Sequence, residues 1–517
     1  MSVVGLNVLW DWWRCKAAVA CVSGVALIWA IGKYTKKQWF SPLNKIPSRP
    51  RGSLLYGNMK EYFKGDKMDV YTEWMREMGT GVIRYFHCMG EQRVMIADPK
   101  AMYHIQYTNS TNYVRPSYVK TVLEPGIGMS LLFMNDEEHS VHRRLCGQAF
   151  KTKVLQSMIP AMQAHGEELV DTWTKKARNK SNGLVEVAED LSKLTTENIA
   201  QCGFGMEMRD LSVSHEDVAR AFNGVSKYKP GKLRFVWAKL AMILPTKANK
   251  TYSRNLKVCD QIIEEAMRMK QAAIDTKSVE EGSLKDILSV LMLARDEVTG
   301  QTLSRKQLRD HAMFFFAAGI QNTATCMSWC LLALATRPEI QERVRSEVTK
   351  HLPPRGEPII DAHLHEMKYL DCVIRETLRF HPVITNYNKQ AVKDDTINGY
   401  SIPAGTIVTL CVEALHRNPD NWEDPDEFQP ERFLLQDNSP EKNQKWRPFG
   451  AGKKMCLGYK YAMMEMKVTL ALLLRDLEFT KDDTDYGRRK CITMFPDPPL
   501  TLHTQLVERP RSCPRGD

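Results

Sequence analysis

One uninterrupted helical stretch constrains this chain more than any other feature. Ser304 followed three residues later by Gln307 is a capping-box pair, which starts a helix by satisfying orphan backbone donors at both positions. No proline follows until Pro338, so the pattern predicts a single helix from Ser304 to Thr336. At the usual rise per residue that is on the order of 48 Å. Its middle, MFFFAAGIQNTATCMSW, is apolar around most of its circumference. A helix of that kind lies inside a body large enough to cover it on every side. Gln321 and Asn322 interrupt the apolar run too strongly for a membrane span.

The rest of the chain supplies such a body. Its 517 residues are 43% hydrophobic and 26% charged, far from a disordered composition. No repeat, low-complexity tract or composition break divides it. The net charge of +11 is spread over scattered Lys and Arg, not gathered in a stripe with interleaved aromatics, so nucleic acid is not expected as a partner. A solvated basic surface is one reading of that charge; docking to an acidic protein or an anionic membrane is the other. The 13 cysteines are odd in number and form no C-x-x-C pair, which argues against a disulfide framework and for a reducing compartment.

Residues 17–32, AAVACVSGVALIWAIG, carry no charge and are bounded by Lys16 and Lys33. The run is slightly short of the roughly 17–25 residues that span a bilayer, but flanking lysines can snorkel and Trp10, Trp12, Trp13 and Trp39 suit the interfaces. We read residues 1–40 as an N-terminal transmembrane anchor with its flanks. A signal peptide lacks a cleavage site here, a mitochondrial transit peptide would be amphipathic and Arg-rich, and a buried core helix is the third alternative. Lys33, Lys36 and Lys37 after the span outweigh Arg14 and Lys16 before it, which places the body in the cytosol. Residues 41–52, with Pro42, Pro47, Pro50 and Gly52, read as a stiff hinge, and residues 53–517 as a single catalytic domain. Helical signals dominate that domain from Asp136 onward, with strand signals at 81–95 and 400–410. The expected class is mainly α with a smaller β region.

The sharpest chemical signal is Phe449-Gly450-Ala451-Gly452-Lys453-Lys454-Met455-Cys456-Leu457-Gly458. The glycines let backbone approach something closely, and the following GYKYAMMEMKVTLALLLRDLEF reads as a long amphipathic helix. Cys456 therefore precedes a helix N-terminus, where amides and dipole favour a thiolate. A lone thiolate in an apolar helical body suits a haem iron.

This loop, F-x-x-G-x-x-x-C-x-G, resembles the haem-binding loop of the cytochrome P-450 superfamily, and the resemblance covers nearly the whole chain. It implies that fold, with haem b bound through Cys456 and cradled by Phe449, Gly450, Gly452, Lys454 and Gly458. Glu376-Thr377-Leu378-Arg379 matches the family's E-x-x-R, and Phe428-Gln429-Pro430-Glu431-Arg432-Phe433 its P-E-R-F segment. The implied role of Glu376, Arg379 and Arg432 is a buried network behind the haem. His139-Ser140-Val141-His142-Arg143 stands where the family has W-x-x-x-R, with His139 in place of Trp and Arg143 as a propionate contact. Lys389 and Lys454 stand where the family usually has Arg, which keeps the charge and loses the bidentate fork.

The family's oxygen-activating segment, A-G-x-(D/E)-T-T, appears here as Ala318-Gly319-Ile320-Gln321-Asn322-Thr323. The acid has become Gln321 and the first alcohol Asn322; Thr323 remains. Gly319 would let the helix widen beside the haem. By position, the substrate pocket falls on 118–133, 314–317, 383–387 and 492–495. The implied activity is a monooxygenase that uses O2 on a lipophilic small molecule (a sterol, terpenoid, fatty acid or xenobiotic). Its electrons would come from NADPH through a flavoprotein reductase at the endoplasmic reticulum membrane; a mitochondrial inner membrane location is the alternative. Two rival readings are an oxygen-independent isomerase or dehydratase acting on a peroxide, and a haem-binding carrier or sensor.

Overall fold

The structure, a computed structural model, describes residues 39–507 apart from 54, 63–68, 179–182, 208–214, 227, 229–237, 277–285, 435–443 and 491–492. The transmembrane anchor read in residues 1–40 therefore lies almost entirely outside the described residues. Among those described, no helix is long and apolar enough to cross a membrane.

Nine helices position the site: α1 (Val70–Met78), α2 (Ser117–Ile127), α3 (Asp136–Gly147), α4 (Ile159–Arg178), α5 (Val187–Asn198), α6 (Arg305–Ala335), α7 (Pro338–His351), α8 (Lys368–Phe380) and α9 (Tyr459–Asp476). Helix α6 is the long helix read from the sequence. Ser304 caps it, Gln307 closes the capping box, and Thr336 ends it two residues before Pro338. It is sheathed by α5, α8, α9 and their neighbours, so residues such as Phe316, Met327, Cys330 and Leu334 have no accessible surface.

Helix α9 departs from the amphipathic reading. Tyr461, Met464, Glu465, Met466 and the run from Val468 to Leu474 are all buried, so it is a core helix with almost no wet face. It also ends earlier than expected, because residues 477–480 leave it to form strand β9.

The strand signals at 81–95 and 400–410 each resolve into two strands. The main sheet runs β1 (Val82–Phe86), β2 (Gln92–Ile96), β8 (Ile407–Cys411), β5 (Asn386–Ala391), β3 (Tyr113–Val114). Only the β2–β8 pair is parallel. The smaller sheets are β4 (Leu184–Glu186) with β12 (Thr501–Leu506) and β9 (Leu477–Thr480), β6 (Asp395–Ile397) with β7 (Tyr400–Ile402), and β10 (Gly487–Lys490) with β11 (Met494–Asp497). The proline-rich segment 41–52 packs onto the main sheet. Leu43 and Ile46 are buried beside Val82 and Val94, and Arg49 N–H donates to the Arg84 carbonyl at 3.0 Å.

Candidate active site

The loop before α9 is shaped by two glycines in left-handed conformation, Gly450 at φ +70° and Gly452 at φ +69°. At Gly452 the requirement is doubled: a Cβ would sit 2.1 Å from the Gln106 carbonyl oxygen, so only glycine lets the loop lie on that turn. The Cys456 N–H donates to the Phe449 carbonyl at 2.9 Å, and the Phe449 ring packs between Trp446 and Tyr459. Gly458 caps α9, and its N–H points back at the Cys456 sulfur.

Among the nine free cysteines described, Cys456 alone is accessible; the others are buried. Its surroundings are nevertheless dense protein, and burial pushes its thiol up against the opposing pull of the Gly458 amide and Arg143. The Gly458 amide at the helix start and Arg143 favour the thiolate, as the sequence implies, while desolvation opposes it, and an iron that takes the sulfur displaces its proton.

A cluster of cations lies near this sulfur. Arg143 reaches from α3 to the Met455 carbonyl at 2.8 Å. Arg115 donates to the Leu132 carbonyl, Lys389 to the Tyr113 carbonyl, and Lys454 to the Met134 carbonyl. None of the four makes an ion pair among the described residues. Burial and mutual repulsion hold the Lys389 ammonium down to about 7, with Arg115 and Lys454 as its charged neighbours. Lys454 is held down to about 8 by burial and Arg115, although Asp136 and Glu138 lie nearby. His139, buried on α3, is pushed to about 4 by burial, Lys454, Arg143 and Lys389, so it is neutral at pH 7. Cations packed this closely on neutral carbonyls call for an anion. A haem, with two carboxylates and an iron that takes sulfur, matches both the charge and the donor.

Behind the loop, Arg379 grips Glu376 with both forks at 2.7 Å, and neither side chain is accessible. Arg379 also donates to the carbonyls of His416, Pro425 and Glu427. Arg432 stands 3.6 Å from Glu376, and the Gln429 N–H donates to the same carboxylate. This is the buried network read from the sequence.

The middle of α6 is buried except for one stripe: Phe314, Ala317, Ala318, Gly319 and Asn322. Asn322 lies on it and donates to the Ala318 carbonyl at 2.9 Å. Gln321 and Thr323 are buried to either side. Thr323 donates to the Gly319 carbonyl at 3.2 Å and approaches Glu465 of α9, so it faces the helix bundle and not the open stripe. Gly319 has a packing role: a Cβ there would meet Ile199 at 2.8 Å. Of the aromatic run 314–316, Phe314 lies on the stripe, whereas Phe316 is core against Phe204 and Phe222. In segment 118–133, Tyr118 accepts from Asn388 and from Arg93. Ile492 lies outside the described residues.

Two residues escaped the sequence reading. Arg115 sits in no motif, and no local signal marks it. Glu465 was visible as the single acid inside MMEMKVTLALLL, a position where an apolar helix has no reason to keep a carboxylate.

The family model described as Cytochrome P450 matches residues 47–502. The chain is 29% identical over 466 residues to rabbit (Oryctolagus cuniculus) cytochrome P450 4A6, covering 88% of this chain and 89% of the relative. It is 28% identical over 481 residues to human cytochrome P450 4A11, covering 91% and 90%. The crystal structure of the cytochrome P450DA heme domain is similar in fold, with a TM-score of 0.75 at 23% identity, covering 90% of this chain and 98% of that one.

Proposed function

The chain belongs to the cytochrome P450 family, oxidoreductases that carry haem b on a cysteine thiolate, and from that premise we infer that Cys456 is its iron ligand and the chain a monooxygenase of lipophilic molecules. The observation that carries this reading is the accessible, desolvated Cys456 sulfur beside a cation cluster that makes no ion pair among the described residues. Arg115, Arg143, Lys389 and Lys454 would hold the propionates, and neutral His139 would add a donor. The bound haem supplies the activation of dioxygen, with the thiolate assisting O–O cleavage. The open stripe of α6 would face it, with Phe314 and Ala317 excluding water and Asn322 orienting one. O2 and a redox partner belong to the family's chemistry; for this chain we assign an NADPH-dependent flavoprotein reductase. A single-pass anchor in residues 1–40 would hold it on the cytosolic face of the endoplasmic reticulum. Exposed Trp39 and Phe40, at the end of that segment, support that placement.

Substituting Cys456→Ser tests the ligand: the thiolate-type spectrum of the reduced, carbon-monoxide-bound form should vanish, and its survival would refute the assignment. Asn322 favours a second reading. Its amide cannot titrate, and the remaining alcohol of the segment faces away. An oxygen-independent isomerase or dehydratase acting on a peroxide needs no proton delivery there. Product formation that scales with reductase-driven NADPH consumption supports the monooxygenase. Full turnover of a peroxide without reductase supports the rival. The pair Gln321→Asp with Asn322→Thr should improve NADPH coupling only in the first case.

A further inference from the structure

Glu465 is an acid that the haem loop does not use. It lies in the middle of α9, nine residues past Cys456, with no accessible surface. No Lys or Arg among the described residues pairs with it. One carboxyl oxygen, Oε1, accepts from the Asn198 amide at 2.9 Å and from the Tyr461 hydroxyl at 3.4 Å. Asn198 in turn is held by His165 Nδ1 at 2.8 Å. The other oxygen, Oε2, is buried and has no hydrogen-bond partner among the described residues. Thr323 of α6 approaches this carboxyl, and its hydroxyl is engaged with the Gly319 carbonyl.

This arrangement has one open side. An amide N–H does not pass a proton on, so Asn198 closes the route toward His165, the titratable group of α4 that it contacts. Cys202 and Tyr461, the other titratable neighbours, are themselves pushed up by burial and stay protonated. Proton exchange at Glu465 is therefore directed at Oε2 and Thr323. We propose that Glu465 is a titrating positioning residue for α6, whose proton sets the direction of the Thr323 hydroxyl and thereby the water-binding capacity of the 318–322 turn.

The two states follow from donor counting. When Glu465 is protonated, its O–H donates from Oε2 to Thr323 Oγ1, and Thr323 keeps its proton on the Gly319 carbonyl. When Glu465 is ionised, Oε2 is an acceptor only, so the Thr323 O–H turns to it. The Gly319 carbonyl then loses its side-chain donor beside Asn322, and a water can take that lone pair. One proton leaves or enters the carboxyl, and no bond other than hydrogen bonds changes. Burial pushes the Glu465 carboxyl up to about 7, against the opposing pull of Thr323, Asn198 and Tyr461, so both states exist near neutrality. The device supplies, from the back of the helix, a titrating group that Gln321 and Asn322 do not provide on the front.

The infrared arm of the test does not depend on the haem-thiolate reading. In the full-length holoprotein, the protonated-carboxyl stretch should titrate with a midpoint within about one unit of 7, lose that component in Glu465→Gln, and shift in Thr323→Val. The second arm does rest on that reading. The ratio of product to NADPH consumed should change severalfold across the same midpoint in wild type and stay flat in Glu465→Gln and Thr323→Val. Because Gln keeps the shape and the Oε1 contacts, loss of folding is separable by the intact haem spectrum. A carboxyl band that does not titrate between pH 5 and 9, or a coupling step retained by Glu465→Gln, overturns the proposal. A titrating band without product under any donor would refute the monooxygenase reading and leave the switch standing.

Discussion

Arg379 holds both carboxylate oxygens of Glu376 at 2.7 Å in a pair that has no accessible surface. The pair joins α8 to the 416–432 segment through three backbone carbonyls, so removing one partner leaves a charge with nowhere to go. We expect Glu376→Ala or Arg379→Ala to cost roughly 3–5 kcal/mol in urea unfolding, and Glu376→Leu with Arg379→Met to cost less than either single change. Equal losses for the single and double variants would show that the charges do not act as a pair.

Lys389 gives a pH dependence with a defined sign. Its ammonium is held down to about 7, so the haem-free protein binds it uncharged above that pH. A carboxylate placed beside it restores the charge, and haem binding then takes up a proton. The haem affinity of wild type relative to Lys389→Met should be greatest at or below pH 7. It should fall by up to about tenfold per pH unit above 7. Haem-transfer titrations at several pH values check this, and a ratio independent of pH would exclude Lys389 from the propionate site.

Gly319→Ala sets propensity against packing. Alanine in a helix gains about 1 kcal/mol over glycine. Here its Cβ would meet Ile199 Cγ1 and Cδ1 at 2.8 Å, and overpacking of that kind costs roughly 1–3 kcal/mol. The variant should melt earlier than wild type. In an Ile199→Ala background the same change should become neutral or stabilising, a coupling that a double-mutant cycle measures.

Glu465 should also appear in the stability curve. Its folded pKa is raised from 4.5 to about 7, so the fold favours the protonated acid. That contribution is complete below about 4.5 and is lost as pH rises through 7. Glu465→Gln lacks the loss. Its stability relative to wild type should increase between pH 4.5 and 7 by up to about 3 kcal/mol, and stay level above that. Parallel wild-type and variant curves across this window would mean that the carboxyl is not buried in its charged form.

What the sequence determined by itself was local or motif-bound. The α6 boundaries at Ser304 and Thr336 follow from a capping box and a proline, both read within a few residues. The Cys456 loop and the Glu376–Arg379 pair were legible because chemistry fixes their spacing. Tertiary structure decided what depends on which face meets which neighbour. Helix α9 looked amphipathic, yet packing by α4, α6 and α7 leaves it almost no wet face. Arg115 joins Lys389 and Lys454 from more than 270 residues away in sequence, and no local pattern carries that proximity. Thr323 was one residue in an expected oxygen-activating segment. A rotation of about 100° per residue along the helix turns it from the stripe that holds Asn322 toward Glu465. Burial, not spacing, then lifts Glu465 to neutrality and pushes the Cys456 thiol up, because desolvation is a property of the assembled surroundings and not of the residue.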